Sequence, residues 1–135
     1  MKTLRRIVPV IALGALFAVC VDTRPPPASL SVAGTEISGL LVSYCWSSAC
    51  SGACADGINR APPAVRVRGA APAQARVLID EPRELHIRVG PTLDNLTEVP
   101  RDQLLLAAGL NVVSVSAWWA RGDAYYTFAV EVAPP

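Results

Sequence analysis

Apolar and polar residues alternate with period two through most of the chain beyond Val65, and this constrains the fold more than any other feature. Val65-Arg66-Val67-Arg68 sets valine to one side and arginine to the other. Residues 75–80 (ARVLID) put Val77 and Ile79 on one face. Residues 84–89 (ELHIRV) turn Leu85, Ile87 and Val89 inward, and Glu84, His86 and Arg88 outward. Residues 112–119 place Val113, Val115, Ala117 and Trp119 on one face, and Ser114, Ser116 and Trp118 on the other. Residues 125–132 (YYTFAVEV) turn Tyr126, Phe128, Val130 and Val132 inward, and Tyr125, Thr127, Ala129 and Glu131 outward. Half-buried strands have this pattern, because successive side chains of an extended chain point to opposite faces.

Residues 28–33 and 36–46 also read as strands, and turns rich in Pro, Gly, Asn and Asp separate all these segments. The longest helical stretch, residues 100–110 (PRDQLLLAAGL), is short. Twelve prolines and nine glycines leave little room for others. The expected fold is all-β: an antiparallel, immunoglobulin-like β-sandwich of seven to eight strands over residues 28–135. The clearest hairpin joins 110–119 to 124–133 through Ala120-Arg121-Gly122-Asp123. There is no internal repeat and no second domain.

The first nineteen residues stand apart. Lys2, Arg5 and Arg6 precede an apolar run from Ile7 to Val19, too short to span a bilayer as a helix. This is the layout of a signal peptide, so the chain is expected outside the cytoplasm after a segment at 1–19 is removed. Phe17-Ala18-Val19-Cys20 approximates the box at which a bacterial lipoprotein is cleaved and acylated. It departs from that box at Phe17 and Val19. On this reading Cys20 is the lipidation site, and residues 20–27 (CVDTRPPP) form a Pro-rich tether from a membrane. Simple secretion is the alternative. Loss of the signal takes three of the twelve basic residues and leaves nine against eleven acidic ones, a net charge of −2. A nucleic-acid partner calls for a basic excess, so none is expected.

Export also bears on Cys45, Cys50 and Cys54, which lie in SYCWSSACSGACADG. In an oxidising compartment the default is a disulfide. Residues 40–46 read as a strand, 47–53 as a loop, and Cys54 as the start of the next strand. That favours a Cys45–Cys54 bridge flanking one turn, with Cys45–Cys50 next and Cys50–Cys54 last. Cys50 is then the odd thiol. The C-x4-C-x3-C spacing fits neither common zinc sites nor a C-x-x-C redox pair. No metal or other cofactor is expected.

SYCW at 43–46, CAD at 54–56 and the run from Val113 to Val132, with Trp119, Gly122-Asp123, Tyr126 and Phe128, resemble small bacterial exported or lipid-anchored proteins of unknown function. The resemblance covers about a third of the chain. It implies an immunoglobulin-like sandwich and an extracytoplasmic location, and it carries no catalytic residues.

Chemistry-bearing positions are few. Trp118 and Tyr125 fall on the outward face of the last hairpin and are the expected contact surface. Arg121-Gly122-Asp123 matches an integrin-binding tripeptide, but Gly and Asp are also what a tight turn requires. His86 lies in a charged strand face. There is no G-x-S-x-G elbow and no H-E-x-x-H. The expectation is a non-catalytic binding or structural module of the cell envelope, held to the membrane by lipid and facing an envelope protein. A protease inhibitor presenting the 47–53 loop is the alternative, and a thiol enzyme using Cys50 is a more distant one.

Overall fold

A computed structural model of the chain describes residues 24–135. The signal segment, and Cys20 with its expected lipidation, lie outside the described residues. Eleven strands are present: β1 (Ser29–Val32), β2 (Thr35–Ser38), β3 (Leu40–Ser47), β4 (Gly52–Asp56), β5 (Val65–Arg68), β6 (Ala73–Leu78), β7 (Glu84–Thr92), β8 (Asn95–Val99), β9 (Leu105–Leu106), β10 (Gly109–Trp119) and β11 (Gly122–Ala133). A single 3-10 turn, Arg101–Gln103, is the only helical element among the described residues. The expected seven to eight segments match most of these, with β2 and β3 read as one strand and with β8 and β9 not foreseen.

Two sheets face each other. The smaller has the order β2-β1-β6-β9. The larger runs β4-β3-β11-β10-β7-β8, with β5 added parallel to the C-terminal half of β11. All other pairings are antiparallel. Leu30, Val32, Ala75 and Val77 of the small sheet pack in one cluster with Val113, Val115, Ile87, Tyr126, Phe128 and Val130 of the large one. These are the side chains that the period-two reading turns inward. A core of this kind stabilises by about 1.5–3 kcal/mol per large apolar side chain buried.

Beside Phe128 the chain crosses between sheets. Gly39 separates β2 from β3, and a Cβ there would lie 2.7 Å from the Phe128 ring. The Gly39 N–H donates to the Ala28 carbonyl at 2.8 Å. Only a residue without a side chain lets the backbone pass so close to the ring.

Two features depart from simple alternation. Ser114, Thr127 and Ala129, expected outward, are buried at 3%, 0% and 3% exposure. The segment between β4 and β5 lies over Thr127, whose hydroxyl donates to the Arg60 carbonyl at 2.6 Å. On β3 the register slips, so that Tyr125 faces Ser43 while Tyr126 faces Leu41. The intervening Val42 forms a bulge, and its carbonyl accepts from the Gly57 N–H at 2.8 Å.

The proline segment is not a detached tether in its last part. Pro25 is buried, and the Tyr126 hydroxyl donates to the Pro26 carbonyl. Proline brings no N–H to satisfy, so an extended stretch can lie against the sandwich without an orphaned donor. Burial pushes the Tyr126 phenol up to about 12, and it stays protonated at any physiological pH.

Phe128 is fully buried and central. Phe128→Ala is expected to lower the unfolding free energy by about 3–5 kcal/mol, read from the midpoint of a urea titration. A loss below about 1 kcal/mol would mean that the two sheets do not close on this ring.

Candidate binding rim at the β10–β11 turn

β10 and β11 are joined by a two-residue turn, Ala120-Arg121. Gly122 follows at φ 152, and a Cβ there would sit 1.9 Å from the Cys45 carbonyl oxygen. The turn is locked onto the end of β3. The Arg121 carbonyl accepts from the Ser47 N–H at 2.8 Å and from the Ser47 hydroxyl at 2.9 Å, while Arg121 Nε donates to the Ser47 carbonyl at 2.9 Å. The guanidinium lies over the Trp46 ring, 5.2 Å from its centroid. Trp46 in turn meets Trp119 edge to face, with centroids 5.4 Å apart. Trp119 Nε1 donates to the Asp80 carbonyl at 3.0 Å.

Cross-strand register orders the side chains on the outer face of the large sheet. Cys54 pairs with Cys45, Cys45 with Asp123, Asp123 with Trp118, and Trp118 with Glu84. One row therefore runs disulfide, carboxylate, indole, carboxylate. The next row carries Asp56, Ser43, Tyr125, Ser116 and His86. Strand spacing sets direct neighbours about 5 Å apart at Cβ.

The Cys45–Cys54 disulfide is formed, with Cα atoms 4.0 Å apart. It pins edge strand β4 to β3 and closes a short loop, for which loop entropy predicts about 2–3 kcal/mol. The turn between them also closes on itself: the Ser48 N–H donates to the Ser51 carbonyl at 2.7 Å, and the Ser51 N–H to the Ser48 hydroxyl at 3.1 Å. Cys50, expected as the odd thiol, is itself disulfide-bonded, and no described cysteine is free.

Trp118 is 39% exposed and sits on the outer face as expected. Tyr125 shares that face, half-buried between Ser43 and Ser116, and is a diagonal neighbour of Trp118 rather than its direct partner. The indole instead meets the His86 ring edge to face at 5.4 Å. Arg121 of the tripeptide is folded back onto Ser47 and Trp46 and is not displayed at a loop tip.

His86 is clasped on both sides. Its Nε2 lies 2.7 Å from Glu84 Oε1, and its Nδ1 lies 2.6 Å from Glu98 Oε1. The two carboxylates occupy opposite ring nitrogens and so do not converge on a point where a cation could sit. Among the described residues no group of three or more His, Cys, Asp and Glu is arranged to hold a metal ion. A protonated ring can donate to both carboxylates, and a neutral ring to only one. The hydrogen bond to Glu84, then that to Glu98, raises the His86 pKa above its ordinary 6.5.

A cleft of about 650 Å³ opens at this rim. Cys45, Trp46, Cys54, Trp118, Arg121 and Asp123 are among its walls. Trp46 is 6% exposed, and its indole N–H, fully buried on the core-facing side, has no acceptor among the described residues. Tyr125 is not part of this wall. A larger hollow of about 940 Å³ lies over β6, but no aromatic ring lines it. Its Arg101 is already closed by both Glu81 oxygens at 3.2 Å and by the Val77 carbonyl. The smaller cleft is the better candidate, because the exposed Trp118 ring and the Asp123 carboxylate stand in its wall. Sequence reasoning placed Trp118 and the disulfide here. It did not find Trp46 or Asp123 as site residues, since their roles depend on four strand ends meeting.

Comparison with known proteins adds no relative: no family model, no curated protein and no solved structure matches this chain.

Proton binding by His86 is tighter in the folded chain than in the unfolded one. Its contribution to stability is full below pH 6.5 and is lost as the pH rises through the raised folded value. NMR titration of the ring protons should give a midpoint above 6.5 that falls in Glu84→Gln and in Glu98→Gln. An identical midpoint in all three proteins would show that the clasp is not formed in solution.

Proposed function

We propose that this chain is an exported, non-catalytic binding module of the cell envelope, with the rim around Trp118 as its contact surface. One observation carries the reading. An exposed indole, Trp118, stands on the outer face of the large sheet directly beside the exposed carboxylate of Asp123, at the wall of an open cleft. An exposed aromatic ring at the wall of an open cleft is a surface that a partner can cover.

The catalytic alternatives have little to work with. His86, the chain's one histidine, has both ring nitrogens taken by carboxylates. The Cys50 sulfur is spent in a disulfide, which removes the nucleophile of a thiol enzyme. An inhibitor loop should reach outward, whereas Ser48 and Ser51 hold theirs closed.

The sulfur chemistry supports the exported reading. Cys45 and Cys54 are joined to each other, Cys50 is bonded, and Cys20 is the chain's remaining cysteine. The Cys20 sulfur can carry lipid or close a disulfide, not both. Both reactions take place outside the cytoplasm, so export is common to either outcome. The lipid anchor is the part the bonded Cys50 argues against.

Two measurements check the proposal. The intact mass of the protein from native envelopes, before and after reduction, is expected to show every cysteine oxidised and no acyl chain. Acyl mass would restore the anchor at Cys20 and make the Cys50 bond intermolecular. The purified mature protein should co-sediment with envelope fragments, and Trp118→Ala should reduce retention about tenfold, the scale of one lost aromatic contact. Unchanged retention of Trp118→Ala would remove the rim as the contact surface.

A further inference from the structure

We propose that Glu98 is a proton-driven toggle on the outer face of the large sheet: its carboxylate is held by His86 while that ring is protonated, and by Arg88 once the ring is neutral. The toggle depends on the β7–β8 pairing, not on the rim as a binding surface.

The register makes Arg88 the direct cross-strand neighbour of Glu98. Direct neighbours lie about 5 Å apart at Cβ, and opposite charges in that position attract. Yet the carboxylate does not cross to Arg88. It reaches sideways to His86, two residues along β7, and lies 2.6 Å from Nδ1. Arg88 is exposed. Among the described residues it makes no ion pair and no side-chain hydrogen bond. Glu98 thus has two basic neighbours on β7 and engages the diagonal one.

The ring explains the choice. Nε2 lies 2.7 Å from Glu84 Oε1, so each nitrogen meets a carboxylate oxygen at hydrogen-bond distance. Only an imidazolium donates from both nitrogens, so this is the arrangement of the protonated ring. That ring is already fixed, edge-on to Trp118. Arg88 would first have to give up the freedom of a long, exposed side chain.

Loss of the proton reverses the order. A neutral ring keeps one N–H, and a free neutral histidine prefers it on Nε2. That bond goes to Glu84, on the same strand. Nδ1 then presents a lone pair to a carboxylate oxygen, two acceptors with no proton between them. Glu98 gains by leaving. The cation opposite it is Arg88, whose guanidinium can take both carboxylate oxygens. The exchange keeps a side-chain tie between β7 and β8, the outermost strand of the sheet. It also covers the positive charge of Arg88, which stands open on this face only while His86 is protonated.

The other groups around the ring are placed differently. From β10, Ser116 and Ser114 stand opposite His86 and Arg88, and neither titrates. Asp123 lies beyond Trp118 on β11. Arg83 precedes Glu84 by one position and so by one face. Asp94 sits in the β7–β8 turn, past the register slip, and Arg101 is held by Glu81. The hydrogen bonds to Glu84 and then to Glu98 raise the His86 pKa above 6.5. The His86 arm is therefore complete below pH 6.5 and gives way to the Arg88 arm as the pH rises through the raised value.

Two measurements on the mature protein test the toggle. By NMR, the Arg88 Nε–H signal should shift with the same midpoint as the His86 ring. Glu98→Gln should flatten that response while His86 still titrates against Glu84. In urea titrations, a double-mutant cycle of Arg88→Gln and Glu98→Gln should show no coupling below the His86 midpoint. Above it, the coupling should be about twofold to fivefold in the folding equilibrium constant, the scale of an exposed ion pair. In a His86→Ala background the coupling should appear on both sides. The toggle is overturned if the Arg88 signal ignores the His86 titration, if Glu98→Gln leaves the response intact, or if the coupling is equal on both sides of the midpoint.

Discussion

The whole structure depends on the burial of β11 on all sides. Its edges are taken by β10 on one side and by β3 and then β5 on the other. Its inner side chains, Tyr126, Phe128, Val130 and Val132, fill the centre of the core. Its outer side chains Thr127 and Ala129 are buried as well, and the segment between β4 and β5 lies over Thr127. A strand enclosed in this way has no backbone group to offer to solvent and no face on which to slip, because a one-residue shift would put Thr127 and Ala129 into the core and Phe128 outside it. Register is therefore fixed here, and from here it is fixed across β3, β10, β7 and β8.

That register decides what stands at the rim. Because Gly122 pairs with Trp46 and Trp119, the two large rings meet over a position that has no side chain. Because Asp123 pairs with Cys45 and Trp118, the disulfide, the carboxylate and the indole line up on the opposite face. The disulfide keeps the outermost strand of that row from fraying. Arg121 closes the end with contacts to Ser47 and Trp46 that a longer, looser turn could not hold. The rim is thus a consequence of strand pairing, not of a flexible loop, and its groups are held in place before any ligand arrives.

Much of this was readable from alternation. The inward sets of β7, β10 and β11 are those that period two assigns, and the Cys45–Cys54 pairing follows from strands on either side of a short turn. Other parts were not readable, for identifiable reasons. Alternation implies solvent on the second face, but Ser114, Thr127 and Ala129 are buried there, and no local pattern announces the segment that lies over Thr127. β8 is short, polar and dependent on β7, so Asn95–Val99 carries little signal of its own. Pro25 and Pro26 have the composition of a linker yet pack on the domain through a hydrogen bond from a residue one hundred positions away. Trp118 and Tyr125 were placed on the right face, but which ring touches which depends on register. The result is that Trp118 meets His86 and Tyr125 lies apart.

The clasp on His86 gives the outer face its asymmetry. Glu84 and Asp123 begin as equivalent neighbours of Trp118, one on each side. His86 engages Glu84 and sets its own ring edge against the indole, so that side of the platform is occupied and stiffened. Asp123 faces the open cleft with the disulfide beyond it. The Trp118 ring therefore has a filled side and an open side along the row. Deprotonation of His86 takes away one of its two donated hydrogen bonds and frees a carboxylate. The side of the platform away from the cleft then becomes more acidic as the pH rises.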